Sequence, residues 1–155
     1  MPMEAMIIII LVGLFAVYLF YLVSIYVKLE NRRSLILSKF TEVNNQIDNK
    51  LDLTKELTEL MDNKELNDIR VELLNSVCVN DRIKYSKILD SILDDIKDDN
   101  RKIKKILNSI KLINDKINYS KEFYNDSLYE YNIILSTING KILKKLFKYT
   151  EYNTF

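Results

Sequence analysis

The run AMIIIILVGLFAVYLFYLVSIYV, residues 5–27, carries no charged side chain, and Lys28, Glu30, Arg32 and Arg33 follow at once. Wound as an α-helix with a rise of about 1.5 Å per residue, it measures about 34 Å, enough to cross the ~30 Å hydrocarbon core of a bilayer. A cleavable signal peptide needs a basic start, a short apolar centre and small residues before the cut. Here the only charged side chain ahead of the run is Glu4, and the exit reads Ser24, Ile25, Tyr26, Val27, Lys28. A buried core helix fits no better, because the rest of a 155-residue chain cannot wrap such a segment on every side. The expected element is an uncleaved transmembrane helix over 5–27, preceded by a short end at 1–4. Lys28, Arg32, Arg33 and Lys39 flank its exit, and residues 1–4 hold no Lys or Arg. The positive-inside rule then places 1–4 outside the cell membrane and the remainder in the cytoplasm.

Beyond the run, Gly140 is the single glycine and there is no proline; Ile, Leu, Lys, Asp, Glu and Asn dominate. That composition predicts an all-α body. Apolar or small residues recur in steps of three or four at Ile36, Phe40, Val43, Ile47, Leu51, Thr54, Leu57 and Met61, so the first helix is expected to continue out of the bilayer. Asp62 and Asn63 are its first stop. Leu66, Ile69, Leu73 and Val77 mark a second helix, and Asp81 is the expected N-cap of a third through Tyr85, Leu89, Ile92 and Ile96. Carboxylates disfavour a helix carboxyl end and favour the next amino end, so a break is expected at Asp98, Asp99 and Asn100, with one uninterrupted helix as the alternative.

The fourth helix has the cleanest spacing in the chain. Ile103, Ile106, Ile110, Ile113, Ile117, Ser120, Tyr124, Ser127, Tyr131, Ile134 and Ile138 follow one another three or four apart. Such a seam requires apolar partners along its length, in coiled-coil fashion. Asn139 and Gly140 are the expected left-handed cap. The lengths predict a transmembrane helix continuing into an antiparallel up-down-up-down four-helix bundle over 28–139. Counting along the rods sets Asn44 and Asn45 near Tyr124 and Asn125, with Tyr131 and Asn132 one heptad on. These six residues are the candidate polar layer.

Residues 140–155 form the expected basic amphipathic tail. Wound at 100° per residue, Ile142, Leu143, Leu146 and Phe147 fall on one side and Lys141, Lys144, Lys145 and Lys148 on the other. The four lysines and Phe147 are candidate membrane-surface contacts, worth about 1 kcal/mol per lysine at an anionic leaflet. The alternative is a further turn of bundle helix with its lysines in water.

Chemistry is thinly represented. There is no His and a single Cys, Cys78, which excludes His–Cys zinc sites and Ser–His or Cys–His nucleophiles. Cys78 follows Val77 on an apolar face and is expected to be buried. Asp90, Asp94 and Asp98 share a helix face that could take a divalent cation, yet Lys87, Lys97 and Lys102 beside them favour a solvated surface. A formal charge of +1 with interspersed signs gives no motive for nucleic-acid binding. No cofactor is expected.

Two stretches carry a family resemblance. VNNQIDNKLDL at 43–53 resembles the I-D-x-Q-L-K-R-R-x-D-L segment of the LemA family of bacterial membrane proteins. NDKINYSKEFYNDSL at 114–128, followed by Tyr131 and Asn132, is similar to that family's E-N-x-I-A-x-A-R-x-x-Y-N-x-A-V-x-x-Y-N. The family's proline after D-L-I is Lys55 here, and its G-Y-A-x-H-E turn has no counterpart. The resemblance implies an amino-terminal membrane helix with a cytoplasmic helical bundle, in a family with no established enzymatic activity, and the chain is expected not to be an enzyme. The expected function is a membrane-tethered scaffold or adaptor, with the bilayer and a protein as partners and a homo-oligomer left open. A membrane-remodelling protein acting through helix oligomerisation and the basic tail is the alternative.

Overall fold

The computed structural model describes residues 2–97 and 99–154, and among them every regular element is helical. The order is α1 (Met3–Met61), α2 (Lys64–Asn75), α3 (Val79–Asp94), α4 (Arg101–Ser136) and α5 (Ile138–Phe147). They form two compact units, Met1–Leu37 with Asn125–Thr154, and Ser38–Tyr124. Helices α1 and α4 contribute to both.

In the Ser38–Tyr124 unit all four helices supply one core. Val43, Ile47, Leu51 and Leu57 come from α1, Leu66 and Leu73 from α2, Ile83, Leu89 and Leu93 from α3, and Ile103, Ile106, Ile110 and Ile117 from α4. Every one had been expected on a seam except Ile83 and Leu93, because a spacing of three and four keeps side chains on one face of a 3.6-residue helix.

The expected stop after Met61 is observed. Asp62 adopts a left-handed backbone (φ 47°), which Asp tolerates better than most residues. The Asn63 side chain then accepts from the Leu66 amide at 3.1 Å and caps α2. Asn63→Ala removes that acceptor and should cost about 1 kcal/mol, read as a lower thermal midpoint of helix loss.

The start of α3 differs from expectation. Its N-cap is Cys78, with no side-chain cap bond, and Asp81 lies inside the first turn. A carboxylate there still meets the positive helix end, which is the benefit a cap at Asp81 would have supplied. The helix thus begins three residues early at little electrostatic cost. Helix α2 ends at Asn75, short of Val77, so Val77 is 96% exposed and Cys78 is exposed too, overturning the buried thiol expected for it.

Helices α3 and α4 are separate elements. Helix α3 ends at Asp94, so Ile96, expected within it, lies beyond its end, and Asn100 accepts from the Lys102 amide at 2.9 Å where α4 starts; Asp98 lies outside the described residues.

In the Met1–Leu37 and Asn125–Thr154 unit, the apolar side chains of α1 from Met6 to Phe20 stand open, and the most apolar window of that helix is buried nowhere. Burial starts at Ile25 and Leu29, and the same unit buries Leu128, Tyr131, Leu135, Leu143 and Tyr149. The expected cap at Gly140 is not what ends α4. That helix stops at Ser136, Thr137 caps α5, and Gly140 is helical with no positive φ. The left-handed residue is Lys148 (φ 52°), at the end of α5. Ile138, placed on the seam by spacing, opens α5 instead and is 80% exposed.

Candidate functional site

Two arrangements gather polar groups. The first is in the Ser38–Tyr124 unit and centres on Lys50, a fully buried lysine. Its ammonium donates to the Ser86 carbonyl (3.0 Å), the Ser86 hydroxyl (2.9 Å) and Asp90 Oδ1 (2.5 Å), which occupies all three of its hydrogens. Asn114 Nδ2 donates to the same Asp90 oxygen at 2.6 Å. The set ties α1 to α3 and α3 to α4. Burial holds the Lys50 ammonium below the usual lysine range, and the attraction of Asp90 only partly offsets this. Asp90 lies at the wall of a surface cleft of about 310 Å³ that Asp94, Lys104, Lys111 and Asn114 also line.

The candidate cation face is therefore otherwise engaged at Asp90, while Asp94 stays exposed. Among the described residues no group of three or more Asp, Glu, Cys or His is gathered as a metal would require. Beside the network, Arg82 donates to Asn44 Oδ1 at 2.9 Å and to Asp48. Lys39 donates to Glu42 at 2.7 Å and stands over the rings of Tyr119 and Phe123, 5.7 and 5.5 Å from their centroids. That hydrogen bond holds the Glu42 carboxyl below the usual range.

The second arrangement belongs to the other unit, where the end of α4, α5 and the residues after it return along α1. Tyr18 Oη donates to Asn139 Oδ1 at 3.1 Å, and the rings of Tyr26 and Phe147 lie 5.0 Å apart. Tyr149 Oη donates to Glu30 at 2.7 Å, and Arg33 Nε donates to Tyr152 Oη at 3.3 Å. Arg32 pairs with Glu130 at 2.5 Å. Tyr131 Oη donates to the Thr150 carbonyl at 3.1 Å, with the Tyr149 ring edge-on at 6.3 Å. Burial, then the neighbouring Tyr152, pushes the Tyr131 hydroxyl up to about 12. Burial and the hydrogen bond to Glu30 push Tyr149 up as well.

Of the candidate polar layer, Tyr124 and Tyr131 are buried, Asn44 and Asn125 half-buried, and Asn45 and Asn132 exposed. Asn44 is held by Arg82 and by its own donation to the Phe40 carbonyl at 3.1 Å. Among the candidate surface contacts, Lys141, Lys145, Lys148 and Phe147 are exposed, and Lys144 pairs with Glu151. Leu146 is 68% exposed beside them, while Leu143 of the same apolar side is buried.

Two features escaped the spacing argument. Lys50 stands at a regular step, since positions 43, 47, 50, 54, 57 and 61 alternate four and three apart. Reading that register with a lysine in it would have exposed the buried charge. The return of the chain after α5 onto Glu30 and Arg33 has no local signal, because it depends on partners more than a hundred residues away.

No family model, no curated protein and no solved structure matches the chain.

Proposed function

We propose that the chain is a single-pass membrane protein of the LemA type that works without catalysis, presenting a helical scaffold or adaptor to a protein partner at the cytoplasmic face of the cell membrane. The observation that carries this reading is the open apolar surface of α1 from Met6 to Phe20, whose most apolar window none of the described residues buries. Water is an expensive environment for such a surface at about 25 cal/mol per Å², whereas a bilayer is its natural solvent. The cations at 28, 32, 33 and 39 support an orientation with residues 1–4 outside. An up-down-up-down course of the helices is part of the proposal, supported by the one core to which α1, α2, α3 and α4 all contribute. The polar groups described above are engaged in structural pairs, which supports a role in presentation more than in chemistry. Membrane remodelling is the second reading, favoured by the exposed Leu146 and Phe147 beside exposed lysines.

Cys78 makes the orientation testable, because it is the sole cysteine and it is exposed. A membrane-impermeant maleimide should label it in inside-out vesicles and leave it unlabelled in intact cells. Labelling of intact cells overturns the orientation, and recovery of the protein in the unsedimented fraction overturns the anchor.

A further inference from the structure

We propose that the corner between α4 and α5, residues 136–139, is seated among the acyl chains of the leaflet through which α1 leaves the membrane, so that the chain grips one leaflet at two places. The inference rests on the anchored reading above and extends it from a tether to a shallow wedge.

Depth comes first. The Tyr18–Asn139 hydrogen bond and the Tyr26–Phe147 ring contact set α5 alongside α1, eight residues of one against eight of the other. The contacts of Tyr149 with Glu30 and of Tyr152 with Arg33 continue the same climb. A ~30 Å hydrocarbon core counted from Ala5 takes about 20 residues and closes near Ser24. Tyr18 then lies about 9 Å inside that boundary, and Asn139 is bonded to it. This is the depth at which interfacial apolar segments sit, about 5–10 Å below the headgroup boundary.

Composition agrees with that depth. Residues 131–140 hold no charge, and the stretch is bracketed by Glu130, which is paired with Arg32, and by Lys141. Ile138 at the corner is 80% exposed, with Ile133 and Ile142 at 47% and 40%. In lipid each open polar group costs several kcal/mol, so a corner seated there must close its own. Here the Ser136 hydroxyl donates to the Ile133 carbonyl at 2.7 Å. The Thr137 hydroxyl donates to the Ile134 carbonyl (2.7 Å) and accepts from the Gly140 amide (3.0 Å), and Tyr18 donates to Asn139. Lys141, Lys145 and Lys148 follow up α5, where long stems carry their ammonium groups to an anionic headgroup layer.

The chain has no Trp, so one introduced indole reports its own surroundings. The full-length protein would be reconstituted into vesicles of phosphatidylcholine with phosphatidylglycerol, with and without lipids brominated on the acyl chains. Phe15→Trp, in the anchor, serves as the quenched reference. Tyr129→Trp, 69% exposed and next to the Arg32–Glu130 pair, is the water-facing one. Ile138→Trp should emit blue-shifted light and lose most of it to the brominated chains, as Phe15→Trp does. If Ile138→Trp stays unquenched while Phe15→Trp is quenched, the wedge is overturned and the anchor stands. If Phe15→Trp is unquenched too, both fall. Because Ile138 is exposed, the replacement removes no core contact.

Discussion

Asp90→Ala is expected to lower the stability of the Ser38–Tyr124 unit by about 3 kcal/mol, whereas Lys50→Met is expected to change it by much less. The asymmetry follows from where the two charges lie. Lys50 is sealed from solvent, and the Asp90 side chain keeps about a third of its surface in water (0% against 32%). Removing Asp90 leaves an ammonium in the core with only the two Ser86 oxygens, while removing Lys50 leaves a carboxylate still hydrated and held by Asn114. Deprotonation of Lys50 caps the loss in the first case, since each unit of pKa displacement is worth 1.36 kcal/mol.

The pH dependence carries a definite sign. The folded-state pKa of Lys50 lies below its ordinary 10.5, so between those two values the unfolded chain binds more protons than the folded one. Stability contributed by this group therefore rises as pH is raised through its folded pKa toward 10.5. Lys50→Met should abolish that rise. Urea unfolding followed by circular dichroism, on both variants at neutral pH and at alkaline pH, reads all of these quantities. Equal losses for Asp90→Ala and Lys50→Met would show that Lys50 is not a sealed charge.

Gly140→Ala is expected to open the α4–α5 corner at a cost of about 3 kcal/mol. In an open helix the same change gains up to about 1 kcal/mol, because alanine is the better helix former. At Gly140 the added methyl would fall inside contact distance of the Ile134 carbonyl oxygen, 2.8 Å from its carbon and 2.9 Å from Leu135 Cα. All three are backbone atoms, so no flexible side chain can give way. The expected result is faster amide exchange across α5 and tryptic cleavage after Lys141 and Lys145, with α1 unchanged. Gly13→Ala is the matched control, since nothing lies within 4 Å of the added carbon. Its effect should be nil or mildly stabilising. Unchanged exchange in Gly140→Ala would mean that the two helices do not approach closely at that point.

The comparison of Gly140 with Asn63 shows why some elements are legible in a sequence and others are not. Asn63 acts on an amide three residues away, so its capping role is written beside it, as is the role of Asn100. Gly140 does look like a helix terminator by type, but its function is to let α5 pass close to a carbonyl of α4. Cys78 failed for a related reason. Its apolar neighbour Val77 marks a buried face only while a helix continues through it, and the chain leaves the helix at Ser76.

By itself the sequence determined the uncharged 5–27 run, the seam of isoleucines along α4, the stop at 62–63 and the separation of α3 from α4. Each of these is a property of residues within a turn or two of one another. The tertiary structure alone decided that Lys50 is sealed against Ser86 and Asp90, 36 and 40 residues away, and that Tyr149 and Tyr152 return to Glu30 and Arg33. The cost of burying a charge, and the partner that offsets it, are set by whichever groups the fold brings to that point in space, and local periodicity holds no record of them.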